Sequence, residues 1–121
     1  MVEKTMEEIV SESAVHALVR DYFTAWNSRN YDDLKRSLHA DVLLTDWLQI
    51  VSGSENVTNA NLAIHKKYPN SSITIIDFAV CKGPKVMAQI QITLSEEEVL
   101  NVVDVFTIWD NQINSIQAYK L

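Results

Sequence analysis

The most informative side chain in the sequence is a carboxylate within an apolar strand pattern. Asp104 lies in residues 100–106, LNVVDVF, a run predicted to be buried on both faces. A carboxylate without a partner costs much free energy to bury, so this group must be paired, hydrogen-bonded or protonated. Burial raises the pKa of a carboxyl group, and a neutral acid can then donate a hydrogen bond. We favour this functional interpretation over two alternatives, an Asp bonded to a Trp or Tyr donor and an Asp that points into a subunit interface.

A second carboxylate stands where an apolar strand ends. Asp46 follows residues 42–45, VLLT, and precedes Trp47. On a two-residue alternation it shares a face with Val42 and Leu44, so it could act as a general base if it reaches a cavity. An Asp that begins a turn is common at such positions. From Asp46 alone, the turn is the favoured interpretation.

A tyrosine lies on the apolar stripe of a predicted N-terminal helix. Tyr22 follows Leu18 by four residues and precedes Trp26 by four, which is the spacing of one helix face. Its phenol could donate a hydrogen bond into a cavity. Taken by itself, Tyr22 is better explained as a core residue whose hydroxyl has a partner.

The remaining reactive side chains do not form a recognisable site. His16, His39 and His65 have no metal-ligand spacing, and we interpret all three as surface or partly buried polar residues. The single cysteine, Cys81, excludes an intramolecular disulfide and any site with several cysteines. Because the sequence also has no Gly-rich phosphate loop, we expect neither a metal nor another cofactor.

The hydrophobic pattern predicts the elements that must position these side chains. A long helix reaches Trp26, a turn covers 27–30, and a short helix covers 31–38. After a turn at 39–41, a strand covers 42–47, and residues 48–51 extend it or turn back as a second strand. A third helix covers 55–68. Four strands follow, at 72–80, 86–94, 99–109 and 113–119, and their short connections predict an antiparallel meander.

Length and charge limit the class of protein. The chain has 121 residues and a net charge of −6, which predicts one domain over 1–121 and makes binding to nucleic acid or to an anionic membrane unfavourable. It has no apolar run of membrane length and no apolar signal core. We therefore expect a soluble, cytoplasmic protein that contacts neither a membrane nor nucleic acid.

Element order and local motifs together resemble the nuclear transport factor 2-like superfamily, and within it the ketosteroid isomerases and the SnoaL-like polyketide cyclases. The resemblance rests on residues 27–31 and 38–42 and on the closing segments VVDVF at 102–106 and IQAY at 116–119. It extends from about Val15 to Tyr119. It implies an α+β fold in which a cone-shaped, curved antiparallel sheet wraps around a long N-terminal helix, with two shorter helices.

The resemblance also implies roles for the three side chains described first. Asp46 matches the family's general base, and Tyr22 and a protonated Asp104 match the two groups that donate hydrogen bonds to the substrate oxygen. The implied reaction is a cofactor-independent proton transfer next to a carbonyl, as in an isomerase or cyclase, on a small carbonyl-containing ligand. The predicted pocket residues are Trp26, Trp47, Met87, Gln89, Gln91, Phe106 and Ile116. Two glutamines in the pocket favour a ligand smaller or more polar than a steroid.

Two other functions of the same fold stay open. One is a small-molecule-binding module without catalysis. The other is a protein-interaction domain, which would be indicated by a cavity filled with Trp26, Trp47 and Phe106. We also expect a homodimer through the outer face of the sheet, because Val103 and Val105 would lie there, opposite Asp104.

Overall fold

A computed structural model describes residues 6–81 and 83–121. Within these residues the chain forms three helices and a curved, unclosed six-stranded sheet, in the order predicted from the sequence. The elements are α1 (Met6–Ser28), α2 (Tyr31–Arg36), β1 (Leu38–Thr45), β2 (Ile50–Ser52), α3 (Ser54–Lys67), β3 (Ser72–Cys81), β4 (Lys85–Thr93), β5 (Val99–Trp109) and β6 (Gln112–Lys120). The predicted α+β architecture is confirmed.

The sheet has the strand order β2-β1-β6-β5-β4-β3. Strands β3 to β6 form the predicted antiparallel meander, and β2 turns back antiparallel to β1. The pair β1–β6 departs from the prediction because it is parallel. These two strands are joined by a long connection through α3 and the meander, so no tight turn forces them to run in opposite directions.

Strand β1 begins four residues earlier than the sequence pattern predicts. Residues 39–41, predicted as a turn, lie inside it, and there the register with β6 slips between the pairs Leu38–Ile113 and Leu43–Ser115. The extra residues form an irregularity in which the Asp41 N–H donates to His39 Nδ1 at 3.0 Å. Turn-forming residues thus mark a bulge in this strand.

The ends of the first two helices also differ from the sequence prediction. Helix α1 continues through Ser28 and ends where Arg29 adopts φ 58°, in the left-handed region. Helix α2 is capped by Asn30, whose side chain accepts from the Asp33 N–H, and it ends at Arg36. It stops two residues early because the Ser37 hydroxyl donates to the carbonyl of the preceding turn and the chain then enters β1.

Helix α1 packs its buried face against the concave side of the sheet. The core residues it contributes include Val19, Phe23 and Trp26, and Phe23 meets Phe106 of β5 edge to face at 5.6 Å. Register slips within β3–β4 and β5–β6 increase the bending of the sheet. The space between α1, α3 and the bent sheet is not filled by side chains.

Two predictions involve residues whose placement is not described. The prediction that the chain has no signal core involves residues 1–5, which lie outside the described residues. The turn predicted at 81–84 includes Lys82, which also lies outside them. Among the residues that are described, no helix is both long and apolar enough to cross a membrane.

The Asn27 side chain joins the end of α1 to the sheet. Its Nδ2 donates to the Ile73 carbonyl at 2.8 Å, and its Oδ1 accepts from the Ile73 N–H at 2.7 Å. We expect Asn27→Ala to lower the free energy of unfolding by about 1–3 kcal/mol, because both backbone groups lose their partner. Urea denaturation measures the change. Asn59→Ala, at an exposed position of α3, is the matched control, and an equal loss in both variants would contradict this account.

Candidate functional site

A cavity of about 650 Å³ opens between the concave face of the sheet and helices α1 and α3. Its walls are mostly apolar. They include Phe23, Trp26, Leu44, Ile73, Ile90, Ile92, Leu100, Val102, Ile116 and Ala118. This volume and this lining are typical of a site for a small organic molecule.

Tyr22, Asp46 and Asp104 all line this cavity, so the structure brings the three predicted site residues together. Tyr22 comes from the buried face of α1, Asp46 directly follows β1, and Asp104 lies in the middle of β5. The side chains opposite Asp104 on the neighbouring strands are Ala88 and Ala118. Because both neighbours are small, they leave space in front of the carboxyl group.

Burial controls the protonation of Asp104. The residue is 8% exposed, and within the described part of the chain its carboxyl group has no hydrogen-bond donor. Desolvation, with a smaller contribution from the negative charge of Asp46, raises the pKa of Asp104 to about 7. A large share of Asp104 therefore carries its proton at neutral pH and can donate it in a hydrogen bond.

Asp46 begins a turn and also faces the cavity, so the two interpretations of its position are compatible. Its Oδ1 accepts from the backbone N–H groups of Leu48 at 2.7 Å and Gln49 at 2.9 Å, and its own N–H donates to the Gln49 carbonyl. These bonds fix the orientation of the carboxylate. Among the described residues no hydrogen bond occupies Oδ2, which leaves that oxygen free to accept a proton.

The Tyr22 hydroxyl is oriented by a residue that the sequence analysis did not identify. Asn61 of α3 is 6% exposed; its Oδ1 accepts from Trp26 Nε1 at 2.9 Å, and its Nδ2 lies 3.4 Å from the Tyr22 oxygen. An indole N–H can only donate, so the oxygen of the Asn61 amide must face Trp26 and its nitrogen must face Tyr22. The phenol oxygen therefore accepts from Asn61, and its own proton is available to another acceptor.

The phenol keeps its proton at neutral pH. Burial, followed by the nearby charge of Asp104, raises the pKa of Tyr22 above its ordinary value, and the bond from Asn61 offsets only part of this rise. The signal that could have identified Asn61 is its spacing, since it lies four residues after Val57 and four before His65 on the inner face of a predicted helix. A polar side chain at that position must find a partner in the interior.

His65 is buried, and its prediction as a surface or partly buried residue is wrong. It is 5% exposed, packs edge to face on Trp26 at 4.1 Å, and its Nδ1 lies 2.7 Å from the Tyr31 hydroxyl. Burial and the charge of Arg29 lower the pKa of His65 to about 4, so the imidazole is neutral. It packs against the Trp26 ring and does not line the cavity.

The predicted pocket residues divide into two groups. Trp26, Trp47 and Ile116 line the cavity. Met87, Gln89 and Gln91 do not, because strand alternation turns them to the outer face while Ala88, Ile90 and Ile92 point inward. Phe106 is fully buried beside Tyr22, 5.8 Å from its ring, and does not line the cavity either. The interior is therefore less polar than the sequence analysis predicts.

The mouth of the cavity carries the exposed side chains of its lining. Trp47 is 41% exposed and Leu48 82%. The charged residues at the mouth are Lys67 at the end of α3, Glu98 before β5 and Lys120 at the end of β6. In the segments that the structure describes, no three His, Cys, Asp or Glu side chains come close enough together to hold a metal ion.

Solved structures with the same fold place this architecture among known proteins. An NTF2-like protein of unknown function from Cytophaga hutchinsonii is similar with a TM-score of 0.77 and 16% identity, over 88% of this chain and 89% of that chain. A protein provisionally assigned as a SnoaL-like polyketide cyclase from a Jannaschia species has a TM-score of 0.81 and 14% identity, over 99% and 91%. A protein with a ketosteroid isomerase-like fold from Catenulispora acidiphila, in complex with trimethylamine, has a TM-score of 0.74 and 16% identity, over 84% and 83%.

Sequence comparison identifies the family. No protein in a search of curated proteins matches the chain. A family model described as a SnoaL-like domain matches residues 19–116, which contain Tyr22, Asp46 and Asp104. The resemblance inferred from the sequence motifs is therefore confirmed. The chain belongs to the SnoaL-like domain family and has the nuclear transport factor 2-like fold.

Proposed function

We propose that the protein is a cofactor-independent isomerase or cyclase that transfers a proton next to the carbonyl group of a small ligand. The observation that carries the proposal is that one apolar cavity contains two carboxyl groups in different surroundings. Asp46 has an oriented carboxylate with a free Oδ2, and Asp104 is a desolvated acid whose pKa is raised to about 7. A base and an acid that face the same space are what such a proton transfer requires.

Each of the three side chains has a distinct role in the proposed reaction. Asp46 removes the acidic proton from the carbon beside the carbonyl and returns it to another atom of the ligand. The electron pair of the broken C–H bond moves towards the carbonyl oxygen, and the ligand becomes an enolate with negative charge on that oxygen. Tyr22, with its proton directed away from Asn61, and protonated Asp104 donate hydrogen bonds to that oxygen. Donors held in place in an apolar cavity stabilise developing charge more strongly than water does.

A non-catalytic binding module is the second candidate function. The open, mostly apolar cavity supports it, and the Catenulispora acidiphila protein was solved with a small molecule bound. The third alternative is a protein-interaction domain, which a cavity filled by Trp26, Trp47 and Phe106 would indicate. The cavity is open, so this arrangement favours a ligand in the interior over that alternative.

The reaction can be tested with cyclohex-3-enone, a small neutral ketone whose isomerisation to cyclohex-2-enone produces a conjugated product that absorbs ultraviolet light. We expect the protein to accelerate this isomerisation. Asp46→Asn should lower the rate by about 10²–10⁴-fold because the base is lost, and Tyr22→Phe by about 10²–10³-fold because one oxygen donor is lost.

Asp41→Asn is the matched control for the assay, because Asp41 is exposed on β1, the strand that Asp46 follows, and does not line the cavity. It should keep the wild-type rate. Acceleration that survives Asp46→Asn would refute the assignment of the base. Binding of the ketone without any acceleration would favour the binding module.

The raised pKa of Asp104 predicts how stability changes with pH. Well below pH 3.8 the carboxyl is protonated in both the folded and the unfolded protein. The pKa of this carboxyl is 3.8 in the unfolded chain and about 7 in the folded protein. As the pH rises between these two values, the unfolded chain releases the proton first, so folding becomes less favourable. Asp104→Asn should therefore gain stability relative to the wild type between pH 5 and pH 8, by at most about 3 kcal/mol.

Urea denaturation of both proteins across this range measures the gain, and carbon NMR of the Asp carboxyl groups reports the protonation directly. The Asp104 resonance, assigned by its loss in Asp104→Asn, should titrate near pH 7. A stability difference that does not change with pH, together with a midpoint near 4, would exclude Asp104 as a hydrogen-bond donor at neutral pH.

We further propose that the protein is a homodimer through the outer face of the sheet. Val103 and Val105 point outward there, between Met87, which is 43% exposed, and Tyr119, which is 49% exposed. Apolar side chains that adjoin one another on an exposed sheet face are typical of a protein interface.

Sedimentation velocity at micromolar concentration tests the dimer. We expect the wild type to sediment as a dimer and Val105→Lys to shift it to a monomer, because the substitution buries an unpaired charge in the interface. Asn59→Lys, on the exposed side of α3, should leave the dimer unchanged. A wild-type monomer would refute the proposed interface.

A further inference from the structure

The ammonium groups of Lys67 and Lys120, the two lysines at the cavity mouth, have no hydrogen-bond acceptor among the described residues. In the described part of the chain, neither Lys67 nor Lys120 has a carboxylate within 4.0 Å or a hydrogen-bond acceptor for its ammonium group. Each leans over an aromatic ring instead: Lys67 Nζ lies 5.4 Å from the centre of the Tyr68 ring, and Lys120 Nζ lies 5.9 Å from that of Trp47. A ligand that reaches the mouth therefore meets free ammonium groups.

The acidic side chains Asp46 and Glu98 each have a hydrogen-bond partner at one carboxylate oxygen. Asp46 accepts two backbone N–H groups, and Glu98 lies 3.4 Å from the Tyr68 hydroxyl, which can donate to it. The deep end contains the hydrogen-bond donors Tyr22 and protonated Asp104. Of the charged side chains at the mouth, Lys67 and Lys120 are thus the two that have neither a hydrogen-bond partner nor an ion-pair partner among the described residues.

The register of the sheet gives the distance between the two ends. Ala118 pairs with Asp104 across β5 and β6, and Lys120 is the next residue of β6 on the same inner face. Two residues along a strand span roughly 7 Å. The Lys120 backbone therefore lies about 7 Å from the level of Asp104, and Lys67 approaches the mouth from the helix side, at the end of α3.

We propose that this cavity binds an elongated amphiphilic carboxylate, with its apolar body against the inner walls and its carboxylate between Lys67 and Lys120. The proposal rests on the proposed function only in placing a reacting carbonyl at the deep end, beside Tyr22 and Asp104. The whole chain carries a net charge of −6, which repels anions at long range. Selection for a carboxylate must therefore come from these two local cations.

Three molecules that differ only in their polar end test this proposal: decanoate, decanamide and decylamine. Trp26 and Trp47 line the cavity, so their fluorescence reports binding, and Trp109→Phe removes the background of an indole that is 68% exposed elsewhere. At low salt, where exposed charges are least screened, decanoate should bind about 2–30-fold more tightly than decanamide, since two exposed ion pairs supply the difference. Decylamine should bind most weakly.

Matched charge variants separate a local effect from the total charge. The double variant Lys67→Met, Lys120→Met should remove the preference for decanoate while leaving the affinity for decanamide within about twofold. The double variant Lys66→Met, Lys85→Met removes the same charge from exposed positions that do not line the cavity, and it should keep the preference.

Four outcomes would overturn the proposal: equal binding of decanoate and decanamide, preference for decylamine, equal loss in both double variants, or no binding of any of the three molecules. None of these depends on catalysis. The proposed reaction is tested with a neutral ketone that has no carboxylate, so the two proposals can fail separately.

Discussion

Strands β4, β5 and β6 turn every second side chain to the concave side of the sheet, and this alternation places Asp104 among apolar neighbours. The carboxyl group faces two alanines across the strands and has no donor of its own among the described residues. Its state is therefore decided by desolvation, with the charge of Asp46 as the second cause. The apolar walls of the cavity therefore favour the protonated form of this acid.

The helices supply side-chain hydrogen bonds at the cavity, whereas Asp104 on the sheet has none among the described residues. Trp26 and Tyr22 lie one turn apart on α1, and Asn61 of α3 contacts both. Because the indole can only donate, its bond shows which end of the amide faces Tyr22, and the phenol proton must therefore point away from Asn61. His65 packs edge to face against Trp26 as a neutral ring. The orientation of Tyr22 thus depends on the contact between α1 and α3.

Much of this arrangement could be predicted from the sequence, because it follows from local patterns. Asp104 could be identified because it is a single carboxylate within an apolar strand pattern, and the fold could be predicted from the order of the elements. What could not be predicted depends on non-local contacts. The early start of β1 is a bulge against β6, and Asn61 is explained only by its partners on α1. The outward direction of Gln89 and Gln91 was within reach, since they alternate with Ala88 and Ile90, and the error was to assign the polar face of β4 to the pocket.

The parallel pairing of β1 with β6 has a consequence for the order in which the protein folds. Strands β3 to β6 join neighbours along the chain, whereas the β1–β6 pair brings Leu44 beside Ile116, far away in sequence. Closing a long loop costs more conformational entropy than closing a hairpin, so the meander is favoured to form before β1 joins it. Asp104 belongs to the meander, and Asp46 follows β1. This order would bury Asp104 first and bring Asp46 to the cavity only when β1 pairs with β6.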